Sequence, residues 1–293
     1  MTRVFRLGTR GSMLARTQSG HVADALSKAS GHPVELVIIK TRGDEVQDRP
    51  LAQVGGKGLF TKEIEEALLA GTVDLAVHSM KDLPSENPPG LIVAGIPLRE
   101  DPRDVLVGSP LADLSAGDVV GTGSLRRMLQ LRALIPGLEI RGLRGNVDTR
   151  VRKQRDGEYK SVVLAAAGLS RLGRADDIGE RLDVDAMIPA VGQGALAVQC
   201  REDDAEVRGW LEKMTDPATA DAVAAERGFL IALGGGCSVP AACHATVEGD
   251  NLRIRAFLGS EDGRAERELV VCPRGDGPRV GGEIARRLLA KLG

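Results

Sequence analysis

A chain of 293 residues has room for two or three domains of the usual size, about 100–150 residues each. Its 42% apolar and 27% charged residues describe an ordinary globular protein, and a net charge of −2 excludes a global field that would gather polyanions. Aromatics at 2% leave the core to Leu, Val, Ile and Ala, and exclude base stacking as a main binding device.

The first elements alternate strand and helix. Val4–Gly8 reads as a strand, and Ser12 caps a helix that runs to about Ala29. Val34–Lys40 is a strand, and a polar, glycine-bearing loop follows through Lys57. Thr61 caps a helix over Lys62–Leu69 with Gly71 as its stop, and Val73–Val77 and Leu91–Ile96 are strands. After the charged stretch Arg99-Glu100-Asp101-Pro102-Arg103-Asp104 the pattern restarts. Strands are expected at Val105–Val107, Asp118–Val120, Leu138–Arg141 and Ser161–Ala165, and helices at Ser124–Leu134 and Val147–Arg155. Such alternation predicts α/β sheets with parallel pairs.

Ile188-Pro189-Ala190-Val191-Gly192-Gln193-Gly194 reads as a crossover, followed by a strand at Ala195–Gln199. A helix from Ala218 to Leu233 leads into Gly234-Gly235-Gly236-Cys237-Ser238-Val239-Pro240. Beyond it, Ala245–Val247, Leu252–Leu258 and Glu268–Val271 form a meander covered by an amphipathic helix, Val280–Leu292, which makes a small α+β tail.

Four cysteines, Cys200, Cys237, Cys243 and Cys272, show no zinc spacing and no disulfide framework, so reduced thiols and no metal site are expected. Three glycines before Cys237 disfavour helix and strand and admit close approach by a bulky group. The local sequence leaves two readings of Cys237 open, an attachment point or nucleophile and a buried structural thiol.

Between residues 126 and 155 nine basic side chains face two acidic ones, a local +7. Gly121-Thr122-Gly123-Ser124-Leu125-Arg126-Arg127 is a glycine turn that opens a helix after a strand, where free N–H groups and the helix dipole favour an anion. Leu143-Arg144-Gly145-Asn146-Val147 repeats the arrangement, and Gly8-Thr9-Arg10-Gly11-Ser12 has it in the first unit. Arg126, Arg127 and Arg144 therefore read as anion ligands, whereas Arg152, Lys153 and Arg155 read as a solvated helix face. Gly55-Gly56-Lys57-Gly58 departs from the triphosphate-binding loop pattern. Asp82, in His78-Ser79-Met80-Lys81-Asp82-Leu83-Pro84, falls at the end of a buried strand, where a carboxylate can stabilise a developing cation or merely shape a turn. His78 reads as structural.

Val54–Phe60, His78–Asp82, Arg99–Asp104, Gly121–Arg127, Leu143–Val147, Pro189–Gly194 and Gly235–Cys237, in this order, resemble the porphobilinogen deaminases through nearly the whole chain. The resemblance implies two α/β domains like the lobes of type II periplasmic binding proteins and a small C-terminal α+β domain. The expected boundaries are 1–97 with 193–214, then 98–192, then 215–293. It also implies a dipyrromethane cofactor joined to Cys237 by a thioether. Four porphobilinogen units would be condensed onto it with loss of ammonia, and linear hydroxymethylbilane released by hydrolysis.

By the same resemblance Lys81, Asp82, Thr122, Ser124, Arg126, Arg127, Arg144 and Gly145 would bind the cofactor. Arg10, Ser12, Arg144, Arg150, Arg171 and Gln193 would bind substrate. Asp82 would be the catalytic group, accepting pyrrole N–H bonds as positive charge develops, and the carboxylates of the growing chain account for the arginines. Residues 42–60 would form a lid bearing Lys57 and Phe60, with Gln53 where relatives often carry lysine. A monomeric cytoplasmic enzyme without nucleic-acid or membrane partners is expected. A solute-binding protein for polycarboxylates and an RNA-binding module are the competing readings. The glycine-framed cysteine and the lack of a signal-peptide-like apolar run oppose the first, and the charge balance opposes the second.

Overall fold

The alternation of apolar runs and capped amphipathic stretches is realised as two five-stranded sheets and one three-stranded sheet. The structure is a computed structural model and describes residues 3–45, 58–234, 239–260 and 262–293. Gln53, Lys57 and Cys237 lie outside the described residues.

The chain divides into two units, residues 1–99 with 195–220 and residues 100–194 with 221–293. In the first, strands β1 (Phe5–Thr9), β2 (Val34–Ile38), β3 (Leu75–Ser79) and β4 (Leu91–Gly95) join a later strand, β10 (Leu196–Arg201). Their order is β2-β1-β3-β10-β4, with β1 parallel to β2 and β3, and β10 antiparallel to β3 and β4. Helix Met13–Ser30 packs Val22, Ala23 and Leu26 against Phe5, Leu7, Leu75 and Val198. Ser12 caps it by accepting from the Ala15 N–H, and Gly31 closes it at a φ of 72°. Helix Lys62–Leu69 buries Ile64 and Leu68 against Val73, Ala76 and Leu91 on the other face.

The second unit repeats that order in other strands. These are β5 (Asp104–Gly108), β6 (Val119–Gly121), β7 (Glu139–Arg141), β8 (Ser161–Ala165) and β9 (Glu180–Arg181), arranged β7-β6-β8-β5-β9. Here too the first strand of the parallel set lies between the other two, and an antiparallel strand follows. The two sheets thus share the doubly wound topology expected of two-lobed binding proteins. Loops at the carboxyl ends of parallel strands face one edge of each sheet, the usual place for a ligand. Asp104, which opens the antiparallel β5, reaches the same edge, opposite Ala165.

The small meander, β11 (Ala241–Glu248), β12 (Asn251–Gly259) and β13 (Ala265–Pro273), is covered by helix Gly277–Leu292. Ile254, Ala256 and Leu258 pack against Phe229, Ile284 and Leu288. Helices Pro217–Ala232 and Gly277–Leu292 approach closely because Gly228 and Gly281 have no side chain. A Cβ at Gly281 would come within 2.2 Å of the Ala225 carbonyl oxygen. In the division into two units this meander falls with the second. Phe257 and Ala242 meet Ile188 and Leu129 in a shared apolar cluster. Arg255 pairs with Asp185, and Arg267 reaches the Asp185 carbonyl at 2.7 Å.

Most expected elements form within a few residues of their predicted bounds. Helices Ala166–Arg171 and Ala205–Lys213 were not anticipated. Thr61 precedes its helix without capping it.

Candidate active site

At the carboxyl edge of the first sheet, β1 delivers Arg10 and Ser12, and β3 delivers a single 3-10 turn, Met80–Asp82. That turn is held from its backbone: the Met80 N–H donates to the Ala195 carbonyl at 3.0 Å, and Leu83 closes back onto Met80 at 3.2 Å. Asp82 is exposed, and its carboxylate has no hydrogen bond or ion pair to any described residue. The Arg10 guanidinium lies over the Phe60 ring, 4.1 Å from its centroid.

His78 is structural, as expected, and it belongs to a buried polar chain that local patterns did not suggest. Its Nε2 meets the Gln199 Oε1 at 3.1 Å, and the Gln199 amide donates to Glu65 at 3.4 Å. Thr61 donates its hydroxyl to the same carboxyl at 3.4 Å, the reason it does not cap its helix. Burial pulls the His78 pKa down to about 4, with Arg10 adding to the effect and the Gln199 bond opposing it. Burial pushes the Glu65 carboxyl up, against the bonds from Gln199 and Thr61. The signal missed was long-range: Gln199 lies 121 residues from His78, on the strand beside it.

At the carboxyl edge of the second sheet the arginines separate into two kinds. Arg126 and Arg127 are nearly enclosed, at 6% and 7% exposure, around a wholly buried Asp104. Arg126 Nη1 donates to Asp104 at 2.6 Å and to the Ile188 carbonyl at 2.7 Å. Arg127 donates Nε and Nη2 to Asp104 at 3.0 and 2.7 Å, and Nη1 to the Val163 carbonyl at 2.9 Å. Burial alone would raise the Asp104 pKa, but the two guanidinium charges and their hydrogen bonds outweigh it and hold the carboxyl well below the usual range. The anion these glycine turns were expected to receive is thus partly supplied from within. Arg127 has every nitrogen committed, whereas Arg126 commits only Nη1.

Arg144 is the other kind: exposed, with no hydrogen bond or ion pair to a described residue. Its neighbour Gly145 is required by a φ of 110°. Asn146 caps the next helix by accepting from the Thr149 N–H at 2.9 Å, and Arg150 turns back onto the Gly145 carbonyl at 2.7 Å. Ser124 caps its helix through the Arg127 N–H, and Thr122 is buried, accepting from the Ser124 N–H at 3.2 Å.

Two expected substrate ligands have internal partners. Gln193 is 1% exposed and donates to the Pro102 carbonyl at 2.7 Å and to Asp104 at 2.9 Å, so it acts on the arginine cluster. Arg171 donates to the Gly194 carbonyl at 2.7 Å, and burial lowers its pKa.

A pyrrole chain offers N–H donors and, on each ring, two carboxylates. The exposed Asp82 carboxylate and the exposed Arg144 guanidinium, both without a partner among the described residues, suit the first and the second in turn. Comparisons with known proteins give the family. The family described as "Porphobilinogen deaminase, dipyromethane cofactor binding domain" matches residues 5–209, and "Porphobilinogen deaminase, C-terminal domain" matches residues 220–290. A porphobilinogen deaminase of Roseiflexus sp. (strain RS-1) is 50% identical over 297 residues, covering 100% of this chain and 98% of that protein. One from Geobacter sulfurreducens is 50% identical over 99% of this chain and 92% of its own length. Among solved structures, the Bordetella pertussis BvgS periplasmic VFT2 domain is 16% identical with a TM-score of 0.44, over 76% of this chain and 92% of that one. With both family descriptions matched in order and half of all residues shared along the full length, the chain belongs to the porphobilinogen deaminase family, enzymes of tetrapyrrole biosynthesis that carry a dipyrromethane cofactor.

Proposed function

We propose that Asp82 is the catalytic carboxylate for the stepwise condensation of four porphobilinogen units with loss of ammonia, ending in hydrolytic release of hydroxymethylbilane. The observation that carries this is the exposed Asp82 carboxylate, free of described partners, on a turn closed by its own backbone bond and tied to Ala195 through the Met80 N–H. A charge held in place needs no reorganisation when positive charge appears on a pyrrole nitrogen, which makes it effective in the transition state. Joined to Cys237 by a thioether, the dipyrromethane supplies the pyrrole carbon from which the product chain grows.

Arg144 binds acetate and propionate groups through its fork, and further candidates are Arg150 on the helix that follows it and, at the carboxyl edge of the first sheet, Arg10, Ser12 and Lys81. Arg126 takes part with the nitrogens that Asp104 and Ile188 leave over, and the Ser124 hydroxyl can add a donor. Arg127 and Gln193 position rather than touch, because their donors serve Asp104 and backbone carbonyls, whereas Arg171 spends only Nη2 on the Gly194 carbonyl and keeps nitrogens for a substrate carboxylate. A monomer working in the cytoplasm without nucleic acid suits the near-neutral charge and the scarcity of aromatics. No described helix is long and apolar enough to cross a membrane.

Intact mass under denaturing conditions tests this reading. The purified protein should exceed its sequence mass by two deaminated porphobilinogen units, and Cys237→Ser should lack that excess. Asp82→Ala that turns over at the parental rate would remove the role given to Asp82.

A further inference from the structure

The segment Ile188–Gly194 is gripped by several buried side chains of the second unit. The Ile188 carbonyl accepts from Arg126 at 2.7 Å and from Gln130 at 3.0 Å, and the Ile188 N–H donates to Gln130 at 2.9 Å. Gln193 donates to Asp104. Between them, the Gly192 N–H donates to the Glu226 Oε2 at 2.7 Å. The other oxygen of Glu226 accepts from the Ala245 N–H, on β11, at 2.9 Å. Glu226 is wholly buried, and His244, 3% exposed, brings its Nδ1 within 3.3 Å of that second oxygen.

A carboxylate enclosed in this way is expensive unless its bonds are made, so it fixes whatever it bonds. Here it bonds two separate segments through their backbones. Gly192 adopts a φ of 69°, a conformation few other residues hold without strain, which aims its N–H at Glu226. Glu226 lies on helix Pro217–Ala232, which precedes Cys237 in the chain, and Ala245 lies on the strand that follows it.

We propose that Glu226 is a positioning residue for cofactor capture: its buried carboxylate locks β11 and its own helix to the Ile188–Gly194 segment, and through Gln193 to the Asp104–Arg126–Arg127 cluster. The proposal rests on the reading of Cys237 as the anchor and of the arginine edge as the carboxylate site. Loss of the lock leaves both parts folded but misaligned for bond formation, so the maximal rate falls while the affinity for porphobilinogen does not.

The test follows cofactor-free protein incubated with porphobilinogen, with intact mass read over time and a melting curve recorded alongside. Glu226→Gln keeps the shape but sets an amide N–H₂ against a backbone N–H. Capture should slow at least about tenfold, the effect of losing one charge-assisted hydrogen bond. The half-saturating porphobilinogen concentration should stay within about twofold, and Glu226→Asp should recover part of the rate. A purely structural role would lower the melting temperature and leave capture per folded molecule at the parental rate; that result overturns the proposal. If Glu226→Gln does not fold, Gln193→Met cuts the same chain one link on, and parental capture by folded Gln193→Met overturns it equally. A parental chain that gains no mass would overturn the reaction reading itself, whereas a parent that gains mass beside an unimpaired Glu226→Gln refutes only the positioning role.

Discussion

Replacing Asp104 with Asn probes the charge cluster beneath the arginine edge. The Asp104 carboxylate has no exposure and accepts from Arg126, twice from Arg127, and from Gln193, at 2.6 to 3.0 Å. Asn keeps the volume and one acceptor oxygen but leaves two buried guanidiniums without a counter-charge. Removing one partner from a buried ion pair costs about 3–5 kcal/mol, because the remaining charge stays desolvated. Amide hydrogen exchange in β5 and β8 should therefore quicken by roughly two to four orders of magnitude, at about 1.4 kcal/mol per decade. Asp101→Asn is the control. Asp101 pairs with Arg103, whose side chain is 41% exposed, so the loss there should be about 1 kcal/mol or less. Since the folded Asp104 pKa lies below its unfolded value, its contribution is full above about pH 4 and is lost only as pH falls through the folded value. The gap between parent and variant should thus be flat from about pH 8 to 5 and close only in stronger acid. Exchange in Asp104→Asn no faster than in Asp101→Asn would refute the account of a charge cluster under tension between burial and pairing.

Asp82→Ala should lower turnover at least about a hundredfold with stability unchanged within about 0.5 kcal/mol, since the side chain is exposed and without described partners; kinetics beside a urea titration check this. Arg144→Leu should slow addition of porphobilinogen units, seen as a lagging mass ladder, again at unchanged stability. Glu65→Gln should stabilise the protein more at pH 7 than at pH 4. Burial raises the Glu65 pKa, so the parent's penalty is absent below the unfolded value and grows as pH rises through the folded one; equal urea midpoint differences at both pH values would contradict that. Gly281→Ala should destabilise, because its Cβ would strike the Ala225 carbonyl at 2.2 Å, and a melting temperature at or above the parent's would show that the two helices can part without cost.

Much of this protein was determined by the sequence alone. Capping residues such as Ser12, Ser124 and Asn146, aliphatic strand runs, and glycine turns after strands are local signals, and local backbone energetics follow them. They place the strand ends, and so put Arg10, Asp82, Arg126 and Arg144 at sheet edges. The family words did the rest for the reaction class. What the sequence could not tell was which arginines are spent. Arg126, Arg127 and Arg144 look alike in their turns, yet two surround Asp104 and the third is free of described partners. Asp104 lies 22 residues before Arg126, Gln193 another 67 after it, and Glu226 bonds across 34 residues to Gly192. Burial and pairing at such separations are decided by how sheets, crossover and meander pack, because a buried charge takes its partner from whatever the tertiary fold brings within hydrogen-bond reach.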